Sequence, residues 1–219
     1  MRKLFKFLAA SVLLLLVGTT VYGASGYLDA ISDSKELEAR ADRLIAADLG
    51  GASLGNERYR QLLTVQDPAF EAHGGIDMST PGAGVTTITQ SLAKRLGFED
   101  FTPGIGKIRQ TGYALGLERE LTKAQIMALW LDTLEMGRGP DGWVTGFHQM
   151  SETVYGSTPD AIEADEYLTL LAVLIAPGRY KLGTDDNALR ERTDRIRRLL
   201  AGECTPNGNS DVWLEGCSS

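Results

Sequence analysis

The apolar positions of the chain fall into blocks with helical spacing, and the first block is continuous. From about Phe7 to Ala24 the sequence is apolar, and Arg2, Lys3 and Lys6 precede it. As a helix this run reaches about 27 Å, slightly short of the ~30 Å hydrocarbon core of a bilayer. Positive charge followed by a leucine-rich run is the pattern of export targeting. A retained anchor and a cleaved signal peptide both fit, since Val21 and Gly23 are small residues of the kind found before a cleavage site. Under either reading the rest of the chain lies outside the cytoplasm, at the outer face of the membrane or in the periplasm. Residues 25–34 are polar and read as a linker. The chain thus divides into a signal or anchor segment (1–24), a linker (25–34) and a domain with a C-terminal tail (35–219).

Within that domain the period is that of helices. Asp33 and Ser34 are expected caps for a helix carrying Leu37, Ala41, Leu44 and Ile45 on one face. Another begins near Arg58. Ile88, Leu92 and Leu96 align in the stretch from Thr86 to Leu96, and a further helix runs from about Lys107 to Glu118. Thr122 and Gln125 form a capping-box pair that starts a helix with Ile126, Leu129, Trp130 and Leu134. Two more helices span about Ala164–Ala176, apolar nearly all round and so a core element, and Asp186–Ala201, whose arginines read as a solvated face. Gly- and Pro-rich passages at His73–Gly84, Thr102–Gly106 and Gly137–Gly142 read as loops or helix ends. No run of strands and no internal repeat stands out. The expectation is a mostly α, single-domain fold with long loops.

Composition narrows the function. Hydrophobic residues make up 43% of the chain and the net charge is −7. The first argues against disorder and the second against nucleic acid as partner. Neither excludes a local basic pocket for a phosphate. The two cysteines, Cys204 and Cys217, have neither CxxC nor zinc-ligand spacing. In an oxidising compartment they are expected to bond to each other, closing a short loop worth roughly 3 kcal/mol.

Three segments carry candidate chemistry. The first is Gln66-Asp67-Pro68-Ala69-Phe70-Glu71-Ala72-His73-Gly74-Gly75. The second is Gly84-Val85-Thr86-Thr87-Ile88-Thr89-Gln90-Ser91-Leu92-Ala93-Lys94. The third is Lys107-Ile108-Arg109-Gln110, followed by Glu118. In order and content they resemble glycosyltransferase family 51, the lipid II polymerising domain of class A penicillin-binding proteins and of monofunctional peptidoglycan glycosyltransferases. The family patterns are E-D-x-x-F-x-x-H-x-G, G-x-S-T-I-x-Q-Q-x-x-K and R-K-x-x-E. Asp132 through Gly137, Gly139 and Gly142 to Tyr155-Gly156, and Glu166 to Ala176-Pro177 and Tyr180, are similar to two further family stretches. The resemblance covers about Leu62 to Leu200.

The resemblance implies a lysozyme-like peptidoglycan glycosyltransferase fold beside the membrane. It implies lipid II, a disaccharide-peptide on a polyprenyl diphosphate, or a glycan strand as ligand, and cell-wall synthesis proteins as candidate partners. In the family the first motif's glutamate deprotonates the acceptor hydroxyl. The third motif's glutamate assists at the donor diphosphate, often with a divalent cation such as Mg or Mn. Here both positions are amides, Gln66 and Gln110. An amide keeps the shape of a carboxylate but cannot take up a proton near neutral pH. General-base catalysis is worth roughly 10²–10⁴-fold, so its loss should be severe. Ser91, Gly106 and Asp132 also depart from the pattern, and the passage between His73 and Gly84 is short for the family.

A binding set survives: Thr86, Thr87, Gln90, Lys94, Lys107 and Arg109, the cations being suited to phosphate. Asp67, and less directly Glu71, are the carboxylates placed to replace the missing base, although Asp67 reads first as an orienting hydrogen bonder and His73 as a structural one. No metal-ligating set is expected. Three functions stay open: a catalytically impaired binder of lipid II or glycan strands, an active glycosyltransferase using Asp67 or a neighbouring carboxylate, and an envelope interaction module that has lost the ligand.

Overall fold

The first helix does not stop where the apolar run ends. In the computed structural model, which describes residues 2–218, α1 spans Arg2–Ala46 without a break. The expected linker at 25–34 is therefore helical, and the caps expected at Asp33 and Ser34 do not form. The polar reading missed a stripe of small residues. Gly26, Ala30, Leu37 and Ala41 are all buried on one face, spaced as one side of a helix. The N-terminal part has Leu4, Phe7, Leu14, Leu16 and Val21 exposed, so α1 is an apolar rod on one half and a packed helix on the other.

The packed half crosses α4 (Gly106–Glu120) almost backbone to backbone. A Cβ at Gly112 would lie 1.9 Å from the Gly23 carbonyl oxygen, and one at Gly26 would lie 2.2 Å from that of Arg109. At Gly116 it would meet the Ala30 Cβ at 2.6 Å. Polar contacts flank the crossing. Arg109 Nη2 donates to Asp29 at 2.6 Å and the Tyr113 hydroxyl donates to Asp33 at 2.6 Å. Burial, with that hydrogen bond second, holds the Tyr113 phenol well above its ordinary pKa, so it remains the donor.

The remaining helices close around this pair. They are α2 (Gly55–Gln66), α3 (Ile88–Leu96), α5 (Lys123–Thr133), α6 (Phe147–Tyr155), α7 (Ala164–Val173) and α8 (Asn187–Leu200). Their starts follow local chemistry. The Thr87 hydroxyl caps α3, Thr122 and Gln125 form the capping box of α5, and Asp186 caps α8. The core gathers Leu62, Phe70, Leu92, Leu117, Phe147 and Tyr167. As expected for α7, Tyr167, Leu168 and the run Leu170–Val173 are buried.

Three elements were not anticipated. Glu135–Gly139 (β1) and Gly142–Thr145 (β2) pair as an antiparallel hairpin. Too few apolar residues alternate there to show a strand, and the Pro140-Asp141 turn, with Gly142 at φ 136°, sets the register instead. The short α6 buries Phe147, Met150 and Ser151, a stripe too brief to stand out between glycines.

The tail also folds. Cys204 and Cys217 are disulfide-bonded, as their number and the inferred compartment led us to expect. Asp211 gathers the tail by accepting from the backbone N–H of Asn207, Glu215 and Gly216. The arginine face of α8 is only partly solvated. Arg190 and Arg197 are exposed and paired with acids, but Arg192 is 4% exposed and Arg195 donates to the Trp213 carbonyl.

The α1–α4 crossing generates a stability test. Gly112→Ala relieves the helix of a glycine, a gain of roughly 0.5–1 kcal/mol, but drives a methyl into the α1 backbone, an overpacking cost of about 1–3 kcal/mol or more. Thermal unfolding should show a lower Tm for Gly112→Ala and no loss for Gly18→Ala, whose Cβ meets nothing within 4 Å.

Candidate functional site

A cleft opens where α2 ends and α3 and α4 begin. It consists of two adjoining recesses of about 540 and 710 Å³, and Gln66, Thr86 and Leu174 line both. Gln66 is the last residue of α2, half-buried, and stands on the ridge between them. Among the described residues its side chain has no hydrogen-bond partner, so its amide is free for a ligand.

Directly behind it the chain is stitched tightly. Asp67 is fully buried. Its carboxylate accepts from the Ile88 N–H at 2.9 Å and from His73 Nε2 at 3.0 Å, while His73 Nδ1 accepts the Gly75 N–H at 3.0 Å. Those bonds assign the histidine proton to Nε2. The Thr87 hydroxyl donates to the Gly75 carbonyl and accepts from the Gln90 N–H. Burial raises the pKa of Asp67, and the Ile88 and His73 bonds oppose the rise. Both carboxylate oxygens are thus occupied, and they tie α2 to α3 away from the cleft. Glu71 accepts from the Tyr59 hydroxyl and lines a separate recess with Lys123. Glu118 holds Thr89 and Lys123, a junction between helices.

Basic side chains gather at the larger recess: Arg40, Lys94 and Arg95 line it, and Lys107 adjoins it through Thr86. Lys107, in the first turn of α4, donates from Nζ to the Thr86 hydroxyl at 2.8 Å. Burial and then the neighbouring Lys94 charge lower its pKa. Lys94 Nζ lies 5.1 Å from the centre of the Phe101 ring, a cation–π contact. Arg95, unremarkable in sequence beyond its place beside Lys94, donates to Ser91 and Thr133 while burial pulls its guanidinium down to about 10. The carboxylates of this recess are Glu99, Asp132 and Glu135. Asp132 is paired with Arg40 at 2.5 Å, and Glu135 accepts from the Trp143 indole.

The expected binding residues therefore separate. Thr86 and Lys94 line the cleft with Gln66, and Lys107 adjoins it through its bond to Thr86. Thr87 and Gln90 are buried, as a cap and an internal hydrogen bonder. Arg109 is turned away, onto Asp29, the Gly97 carbonyl and the Phe98 ring, because its place on α4 faces α1. Gln110 is fully buried. Its Nε2 donates to the Gln90 carbonyl at 2.6 Å and its Oε1 has no partner, so it lies a layer below the cleft rather than in its wall. Sequence reading could not separate these residues, since motif spacing fixes neighbourhood but not which way each helix turns.

Comparison with known proteins decides the family. The transglycosylase family model matches residues 52–201. The chain belongs to the transglycosylase family. Relatives share modest identity with it. It is 27% identical over 154 residues to penicillin-binding protein 1B of Buchnera aphidicola, covering 64% of this chain and 20% of that protein. It is 28% identical over 157 residues to the biosynthetic peptidoglycan transglycosylase of Cronobacter sakazakii, covering 65% of this chain and 64% of that protein. Penicillin-binding protein 1F of Bacillus subtilis is 25% identical over 167 residues, which is 70% of this chain and 23% of that protein. The chain thus spans less than two thirds of each of these relatives. The transglycosylase match takes in α2 to α8 and most of the cleft lining; α1, the disulfide-closed tail and the cleft residues they supply lie outside it. Among the described residues no group of three or more His, Cys, Asp or Glu side chains is placed to hold a metal ion.

Gln110 supplies a test of the packing. In Gln110→Glu the carboxylate faces the Gln90 carbonyl oxygen with no donor, so it loses a buried hydrogen bond and leaves a charge unpaired. Chemical denaturation should show a loss of about 3 kcal/mol or more at neutral pH. The deficit should shrink as the pH falls and the new carboxyl is protonated, because its folded-state pKa is raised above the unfolded value.

Proposed function

We propose that this chain is a membrane-anchored member of the transglycosylase family that binds lipid II or glycan strands during cell-wall assembly and is impaired as a catalyst. The observation that carries the reading is Gln66. It occupies the ridge of the cleft, where a general base would be placed, and it cannot take a proton. Asp67 and Glu71, the carboxylates nearest in sequence, are committed elsewhere, one to His73 and Ile88 and the other to Tyr59. The basic side chains remain. Lys94 and Lys107 can hold a diphosphate by charge-assisted hydrogen bonds, with the Thr86 hydroxyl beside Lys107 as a neutral donor. The apolar half of α1 supports anchoring, with the domain at the outer face of the cytoplasmic membrane. A divalent cation enters this reading only as the companion of the diphosphate.

Removing Lys94 or Lys107 should weaken lipid II binding by about 1.5–3 kcal/mol, as measured by equilibrium binding in detergent. Affinity should also fall as pH rises past the lowered pKa of Lys107, since a bound diphosphate favours the charged ammonium, and it should do so below the pH expected of an ordinary lysine. Unchanged affinity in both alanine variants would remove the support for this reading.

Catalysis is tested at one position. Gln66→Glu is nearly isosteric and opens onto the cleft, so it should raise lipid II polymerisation above the native level. Adding Gln110→Glu should bring no further gain, because that side chain is buried. The gain at Gln66→Glu should be partial, since a reacting group ~1 Å out of place costs roughly 10²-fold and Ser91 and Gly106 differ from the family pattern. Efficient polymerisation by the native chain, abolished in Glu135→Gln or Asp67→Asn while the variant keeps the native Tm, would establish the active-enzyme alternative instead.

A further inference from the structure

The smaller recess of the cleft has a wall of its own making. Residues beyond the family match fold back over the passage that precedes α3. Gly82 N–H donates to the Gly208 carbonyl at 2.9 Å and Gly84 N–H to the Asn209 carbonyl at 2.8 Å. Asn209 Nδ2 returns two bonds, to the carbonyls of Thr80 and Gly84. The disulfide and the Asp211 hub hold this tail in shape. Asn209, Ser210 and Val212 then face Gln66 and Thr86 across a space of about 540 Å³.

Arg192 borders that space. It is 4% exposed, and its Nε and Nη1 are buried without an acceptor. Arg190, Arg195 and Arg197 on the same helix each pair with a carboxylate, and Arg198, which does not, lies outside the lining of this recess. Arg192 has none. After burial, its electrostatic neighbours are, in order of effect, the Tyr180 hydroxyl, the Arg195 charge and Asp211, whose carboxylate is taken up by three backbone N–H groups. Burial pulls its guanidinium down to about 10, so it is charged at neutral pH. An unpaired buried charge is costly. A guanidinium also presents a planar fork matched to carboxylate and phosphate.

We infer that the recess between the C-terminal tail and Gln66 is an oxyanion-binding pocket in which Arg192 receives a carboxylate or phosphate group of the molecule that occupies the cleft. The inference rests on the reading that the cleft takes a lipid-linked disaccharide-peptide, which carries both kinds of group. Gln66 and Thr86 border both recesses, so a ligand held at Lys94 and Lys107 on one side of the ridge reaches Arg192 on the other. The tail makes the pocket by closing its outer wall, and the disulfide keeps the wall closed.

The test uses the full chain in detergent with its disulfide intact. Titration calorimetry compares native protein, Arg192→Gln, Val212→Trp and Lys94→Ala against three probes: inorganic diphosphate, a soluble disaccharide-pentapeptide without phosphate, and lipid II. Arg192→Gln should weaken lipid II binding and the binding of one small probe by about 10- to 100-fold. Which small probe responds identifies the source of the anion, peptide carboxylate or phosphate. Val212→Trp fills the recess from the tail side and should act in the same direction, which decides the matter if Arg192→Gln does not fold. Native-like binding of all three probes by both variants would overturn the inference; a loss confined to Lys94→Ala would do so while leaving the cleft reading intact. Arg192-dependent binding of inorganic diphosphate by a chain that ignores lipid II would keep the pocket and sink that reading. Absence of binding to any probe would sink both.

Discussion

The close approach of α1 and α4 is the constraint on which the rest of the architecture depends. Two helices whose backbones nearly touch can do so only where side chains are absent, and Gly23, Gly26, Gly112 and Gly116 clear that space. Once α4 is fixed against α1, its remaining faces are assigned. Arg109 and Tyr113 meet the acids of α1, Gln110 and Leu117 turn into the core, and Lys107 at the helix start is left to reach Thr86. The place of Lys107 beside the cleft is therefore a by-product of a packing decision made on the other side of the same helix.

A second fixed point is the Asp67–His73 pair. It consumes a carboxylate that sequence alone offers as a general base. Both of its oxygens are used to join the end of α2 to the start of α3, and the orientation of Gln66 follows from that junction. Two neighbours in sequence take different places here, and burial tells them apart: Asp67 braces the junction while the half-buried Gln66 lines the open cleft.

Much of the fold was legible in the sequence. The start of α5 was announced by Thr122 with Gln125, α3 by its apolar spacing and α7 by its unbroken apolar surface, and α8 was placed to its approximate bounds. What escaped were elements whose signal is not hydrophobic. The stripe Gly26–Ala30 looks polar and flexible because small residues contribute contact by what they lack. The hairpin at Glu135–Thr145 is set by its turn rather than by alternation. At the site, the motifs located the neighbourhood of the cleft, but not the rotation of α4 that takes Arg109 and Gln110 out of it. Arg192 was hidden in the same way, since in an arginine-rich helix only packing shows which arginine faces inward.

The unbroken course of α1 has a mechanical consequence. Its 45 residues make a rod of about 68 Å with no hinge between the apolar half and the half bound to α4. A rod of this kind is a lever. If the apolar half leans by about 20° to match bilayer thickness, a point about 30 Å further along the axis is carried sideways by roughly 10 Å. Bilayer thickness would then set the height and stance of the cleft over the surface.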